Sequence, residues 1–228
     1  MRVLRGRAPD PDRDRQRTSN LLASVAESGE AAVRVWTPHR QLAFGRRDAN
    51  SDGYDDAVAA ARDHGFPPVE RSVGGRAVAY TGTTVAFARF EPIDDIRVGA
   101  TDRYEALVDV VQRALWDLGV PAQRGEPERS FCPGDHSLSY RGKVAGIAQR
   151  VTSGAALVSG VVTVDGHDEI AGVLDPVYDA LGVPFDPRTV GSLERAGGAT
   201  DTERVIRTLE GALVGDEEPA VERVDRQT

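Results

Sequence analysis

Apolar residues along this chain fall into two rhythms, one suited to strands and one to helices. Val33–Trp36 and Gln41–Phe44 are short strand-like runs on either side of Pro38, and they predict a hairpin-like pair. Val69–Arg71, Ala77–Tyr80 and Thr84–Phe90 continue in the same manner, separated by glycines and turns. Later, Ser137–Arg141 and Val144–Val151 predict two strands joined at Gly142, and Ala155–Val164 a third. Helical spacing is clearest over Asp102–Leu118, where Leu107, Val108, Val111, Ala114, Leu115 and Leu118 make one apolar face and Gly119 stops the run. Tyr54–His64, residues 168–182, a short stretch near Thr189–Ala196 and Thr202–Val214 also read as helices. Ser19-Asn20 offers an N-cap for a short helix through Leu21, Leu22, Val25 and Ala26.

Strands dominate the first part and helices the last. That order predicts an α+β fold, a two-layer mixed or antiparallel sheet packed with helices, rather than alternating βαβ units. Residues 1–18 are rich in Arg, Asp and Pro and read as a charged N-terminal segment with at most an edge strand at Arg2–Leu4. A domain over 19–215 follows, then an acidic flexible tail over 216–228. Residues 121–130 read as polar loop.

Composition narrows the setting. The net charge is −8, which argues against a general nucleic-acid binder. No run of 18 apolar residues exists, and the N-terminus lacks the apolar core of a secretory signal. One cysteine allows no internal disulfide, so a cytoplasmic protein with no membrane role is expected. Of 28 basic residues, only Lys143 is lysine. Acid excess with so little lysine resembles proteins of salt-loving organisms.

The sole lysine lies eleven residues after the sole cysteine, in the stretch CPGDHSLSYRGKVAGIAQR over 132–150. A thiol is the strongest ready-made nucleophile among side chains near neutral pH. Arginine cannot replace lysine where a compact ammonium is needed. Cys132 and Lys143 are therefore candidate catalytic residues. The alternative is an incidental buried Cys and a surface turn Lys, and even as a catalytic residue a hairpin Lys is expected to be partly exposed. A second stretch, ERSVGGRAVAYTGTT over 70–84, sets Gly74-Gly75 between two predicted strands, where a ligand could lie against the main chain. Arg71 and Arg76 flank the pair and could hold an anionic group. It is neither a dinucleotide fingerprint nor a P-loop. His39, His64, His136 and His167 have no ligand-spaced partners, so no metal site is expected. His136, four residues after Cys132, is a possible activator or simply a turn residue.

Taken in order, Arg-x-x-Gly-Gly-x-Ala-Val and then Gly-Lys-x-x-Gly-x-Ala-Gln-Arg resemble the biotin/lipoate protein ligase and octanoyltransferase superfamily. The resemblance runs over about 19–215 and includes the upstream VRVWTPHRQLAFGR. SFCPGDHSLSYRGKVAGIAQR is most similar to the Cys-dependent octanoyl/lipoyl amidotransferase type. It implies a biotin/lipoyl protein ligase-like catalytic domain. It assigns Cys132 as the acyl-accepting nucleophile and Lys143 as a contact to the acyl carbonyl. Gly74 and Gly75 would line an acyl tunnel with Arg71 and Arg76 near its mouth, Gly146 and Gln149 would pack against the same tunnel, and Ala77 would be a further substrate-binding residue. Thr81-Gly82 follows Tyr80 where the family usually carries His or Asp, so no base is assigned there.

The resemblance implies an acyltransferase of protein lipoylation needing no cofactor. Its partners would be lipoyl domains of 2-oxoacid dehydrogenase complexes or a glycine-cleavage lipoyl protein, with acyl carrier protein as a further donor. Two other readings stay open. One is a lipoate- or biotin-protein ligase using ATP and Mg, for which Cys132 would have no covalent role. The other is a non-catalytic protein that binds lipoyl domains or a free acyl acid.

Overall fold

The computed structural model describes residues 1–71 and 75–224. Chain order begins with strand β1 (Arg2–Arg5), helix α1 (Pro11–Ser28), β2 (Ala32–Trp36), β3 (Gln41–Phe44), α2 (Arg46–Ala49) and α3 (Tyr54–Asp63). β4 (Pro68–Glu70), β5 (Val78–Tyr80) and β6 (Val85–Pro92) come next, then α4 (Ala100–Asp117). β7 (Gln123–Arg124), β8 (Ser137–Ser139), β9 (Lys143–Thr152) and β10 (Ala155–Val162) complete the middle. The last elements are α5 (His167–Ala180), a 3-10 turn (Pro187–Thr189), α6 (Leu193–Ala196), α7 (Thr202–Val214) and β11 (Ala220–Arg223).

Eight strands form one sheet in the order β11-β1-β2-β6-β10-β9-β8-β7, and β4-β3-β5 form a smaller one. The large sheet is mixed. β1 runs parallel to β2 and β11, whereas β2-β6, β6-β10, β10-β9 and β9-β8 are antiparallel.

Side-chain alternation divides the core by face. On one face Val33, Val35, Val85, Phe87, Val158 and Val162 meet the apolar stripe of α4 and Val205, Leu209 and Leu213 of α7. The opposite face carries two clusters. Leu21, Leu22 and Val25 of α1 cover Ala32, Ala88, Phe90 and Ala155. Beside them, β3, β5, α3 and α5 build a second layer around Leu42, Phe44, Val78, Ile170, Val173 and Val177, and Phe131 joins it. The candidate site residues sit where that layer meets the large sheet.

Several boundaries differ from the sequence reading. α1 starts at Pro11, not after Ser19-Asn20. Asp10 caps it by accepting from the Arg13 N–H, Pro11 stands in the first turn, and Asp12 and Asp14 follow. Residues 1–18 therefore supply β1 and the first half of α1. β1 is not an edge, because β11 covers its outer side, so the expected tail over 216–228 contributes a strand of its own. β2 and β3 do not pair with each other, because each joins a different sheet. The loop expected over 121–130 contains the two-residue strand β7. The paired β8 and β9, α3, α4, α5 and α7 agree with their predicted spans within a few residues.

A candidate acyl-transfer site around Cys132

Cys132 lies in the loop between β7 and β8, partly buried, with φ +42°. A left-handed backbone is uncommon outside glycine and marks a residue that its surroundings hold in place. Three contacts do so here. The Cys132 N–H donates to the Tyr178 hydroxyl at 2.6 Å, and Lys143 Nζ donates to the carbonyls of Phe131 and Cys132 at 3.0 and 2.8 Å. The Tyr178 hydroxyl in turn donates to the Ala77 carbonyl at 3.0 Å, tying the Cys loop to the entry of β5. Burial holds the Tyr178 phenol far above its ordinary range, so it stays protonated and able to donate.

The thiol faces the glycine stretch. The Arg76 N–H points at Sγ at 3.4 Å, and an Arg71 guanidinium nitrogen lies at 3.5 Å. Gly75 has φ +91°, and a Cβ there would come within 2.9 Å of Sγ. Both facts call for glycine. Arg71 also donates to the Arg76 carbonyl, which fixes the turn. Burial opposes its charge, but Tyr80 and Cys132 outweigh that cost and hold the guanidinium above its ordinary value. Arg76 is anchored by Asp48, a fully buried carboxylate 3.1 Å away that also accepts from the Gly45 N–H.

Lys143 is 2 % exposed, not partly exposed as a hairpin lysine would be. The reason is Glu126. Its carboxylate pairs with Nζ at 2.8 Å and also accepts from the Ser137 hydroxyl and the Gly134 N–H. All three ammonium donors are thus engaged, on Glu126, Phe131 and Cys132, so the charge can be buried without being left unpaired. The stem of Lys143 lies over Gly146, where a Cβ would stand 3.2 Å from Cε.

The structure thus brings together Cys132, Lys143, Arg71, Gly75, Arg76, Ala77 and Gly146. Gln149 is placed elsewhere. It lies three residues beyond Gly146 in β9, so its side chain points to the opposite face. There it accepts from Arg103 and donates to the Ala100 carbonyl at the start of α4. Gly74 falls outside the described residues. His136 stacks on Tyr104 of α4 with ring centroids 3.9 Å apart. Thr81 is buried in a hydroxyl network with Thr83 and Thr84. Asp48, Glu126 and Tyr178 were not found from the sequence, where each reads as a loop acid or an ordinary helix residue. Among the described residues no group of three or more His, Cys, Asp or Glu side chains could hold a metal ion.

Tyr178→Phe tests the brace on the Cys loop. It leaves the Cys132 N–H and Ala77 carbonyl short of a partner, which typically costs about 1–3 kcal/mol. A fall in melting temperature of roughly 2–12 °C is expected for a chain of this size. Alkylation of Cys132 by iodoacetamide should also change rate.

Residues 12–213 match the lipoyl protein ligase A/B catalytic domain family. The chain belongs to that family. Among relatives, it is 35% identical over 147 residues to the octanoyl-[GcvH]:protein N-octanoyltransferase of Exiguobacterium sibiricum, covering 64% of this chain and 53% of that protein. An enzyme of the same name from Oceanobacillus iheyensis is 28% identical over 207 residues, with 83% and 74% covered. The lipoyl-[GcvH]:protein N-lipoyltransferase of Listeria monocytogenes is 27% identical over 148 residues, with 64% and 53% covered. The matched stretch thus spans about half the length of the first of these relatives. The fold is shared with lipoate-protein ligase A bound with ATP, at TM-score 0.73 and 18% identity, covering 97% of this chain and 88% of that one. It is shared too with a T. acidophilum protein with bound lipoic acid, at TM-score 0.70 and 17% identity, covering 99% and 89%.

Proposed function

We propose that this family member is an octanoyl or lipoyl transferase of protein lipoylation that carries the acyl group on Cys132. The observation that carries the reading is the setting of the thiol. It faces a backbone N–H and a guanidinium at 3.4 and 3.5 Å, against a glycine that leaves room for an acyl carbon. Relatives named as transferases acting from GcvH support the same chemistry.

In the first half-reaction the Cys132 sulfur attacks the acyl carbon of an acyl-lysine amide on the donor lipoyl protein. A C–S bond forms, the C–N bond breaks, and the thiol proton ends on the leaving amine. In the second, the acceptor lysine amine attacks the thioester carbon, a C–N bond forms, and sulfur leaves to recover its proton. Arg71 and the Arg76 N–H lie where the negative charge on oxygen and then on sulfur is to be stabilised. Lys143 holds the Cys132 loop through two carbonyls, and a carbonyl oxygen of the acyl group would reach Nζ by taking the place of one of them. Gly75 and Gly146 keep side chains out of the acyl path, Arg71, Arg76 and Ala77 frame its mouth, and Gly74 belongs to the same stretch.

Transfer from one amide to another is close to balanced in energy, so no nucleotide or other cofactor is required. A glycine-cleavage lipoyl protein is the proposed donor, and a lipoyl domain of a 2-oxoacid dehydrogenase complex the acceptor. The experiment mixes the purified chain with an octanoylated glycine-cleavage lipoyl protein and an unmodified lipoyl domain, without ATP. Octanoyl should appear on the acceptor. Transfer only from free octanoate plus ATP and Mg would establish the ligase chemistry instead.

A further inference from the structure

The Cys132 sulfur meets one peptide unit, Gly75–Arg76, whose N–H points at it from 3.4 Å. The peptide is trans and planar, so its N–H and its C=O point in opposite directions. Fixing where the Gly75 carbonyl lies therefore fixes where the Arg76 N–H points. Gly75 cannot do this alone. With φ +91° and no Cβ, it leaves the peptide free to turn over and aim its oxygen, rather than its N–H, at the sulfur.

The end of β3 holds the peptide in the useful orientation. Gly45, directly after β3, packs so closely against the Gly75 carbonyl that a Cβ on Gly45 would overlap the oxygen. Three residues further on, the Asp48 carboxylate accepts from the Arg76 guanidinium at 3.1 Å with one oxygen and from the Gly45 N–H at 3.0 Å with the other. One carboxylate thus joins the residue that abuts the peptide to the residue that carries its N–H. The other flank of the glycine stretch is tied to the same strand end, where the Arg71 N–H donates to the Phe44 carbonyl at 3.0 Å. Cys132 is held separately, by Tyr178 of α5 and Lys143 of β9. Nucleophile and donor stand on different supports, and their alignment depends on both.

Charge alone does not explain Asp48. Its side chain is fully buried, a costly place for a carboxylate, whereas Arg76 keeps 27% of its side chain exposed and is served by solvent. What the buried pair secures is the position of the Arg76 main chain. We infer that the Gly45–Asp48 turn is the device that aims the Arg76 N–H at the Cys132 sulfur, with Asp48 as its positioning residue. Its consequence for rate rests on the acyltransferase reading above.

The test compares Gly45→Ala, Asp48→Ala and Asp48→Asn with the wild type, each well below its own melting temperature. Cys132 acylation by an octanoyl thioester of a small thiol is followed by intact mass. Gly45→Ala and Asp48→Ala should lower the initial rate by about 10- to 100-fold, toward the loss of one oxyanion donor. Asp48→Asn keeps one acceptor oxygen without the charge, and should lie between wild type and Asp48→Ala, about threefold or more below wild type. The second readout is the Arg76 amide in proton–nitrogen NMR spectra. Capping Cys132 with iodoacetamide should shift that resonance in the wild type, by a smaller amount in Asp48→Asn, and hardly at all in Gly45→Ala and Asp48→Ala. A loss of stability alone does not abolish this response in a folded protein. A full amide response or a wild-type acylation rate in Asp48→Ala would overturn the inference, as would a wild-type amide that ignores the cap. If Asp48→Ala does not fold, the same results in Asp48→Asn decide the matter. If the wild type forms no acyl adduct, the amide decides alone, and loss of its response in the variants would support the positioning role while sinking the covalent reading.

Discussion

Cys132→Ser is expected to reduce lipoyl-domain acylation by several orders of magnitude while leaving the melting temperature nearly unchanged. Loss of the group that forms the covalent intermediate removes the pathway rather than weakening one contact in it. The stability half of the expectation follows from the structure. The loop is held by the Cys132 N–H and carbonyl, through Tyr178 and Lys143, and not by the sulfur. A hydroxyl is of similar shape and can accept from the Arg76 N–H that faces Sγ. Turnover of acceptor against time, with a thermal melt on the same sample, checks both parts. Transfer at near wild-type rate in the Ser protein would favour an adenylate route that does not use the thiol.

Lys143→Arg is expected to lower turnover by about 10²–10³, the usual loss when a donor to a developing oxyanion is misplaced. Here the melting temperature should fall as well. The ammonium sits in a closed set of three acceptors, with its stem pressed on Gly146. A planar five-donor head does not fit that set. Overfilling a packed site costs about 1–3 kcal/mol, or roughly 2–12 °C in a chain of this size. Lys143→Ala makes a useful contrast, since it relieves the crowding but leaves the Glu126 carboxylate without its cation. An Arg protein with wild-type turnover would mean that the sole lysine serves no chemical purpose.

The parts of this fold that were legible in the sequence are those whose pattern is local and long. The stripe on α4, the span of α7, and the β8-β9 pair around Gly142 could all be read directly. α1 was legible but misread. Asp10-Pro11 with acids in the first turn is a stronger start signal than Ser19-Asn20, and the density of charge obscured it. β7 and β11 were not legible, since two and four exposed residues carry no alternation. Nothing local says that β2 and β3 part company to join different sheets.

The site divides the same way. Cys132, Lys143 and the glycine stretch stand out by rarity and spacing. Asp48, Glu126 and Tyr178 do not, because their partners lie 28, 17 and 46 residues away in the chain. Their importance is a property of the fold, which closes those distances to hydrogen bonds. Gln149 shows the reverse error. A motif places it beside Gly146, yet three residues along a strand turn it to the other face, and strand parity alone would have separated the two.

The central claim is a covalent acyl group on Cys132, and intact mass measures it most directly. The chain is mixed with an octanoylated lipoyl protein in the absence of ATP and acceptor, then quenched in acid. The account predicts a population heavier by one octanoyl group, released by hydroxylamine, mapped to Cys132, and missing from Cys132→Ala. Transfer to a later-added lipoyl domain with no such adduct at any time point would contradict it.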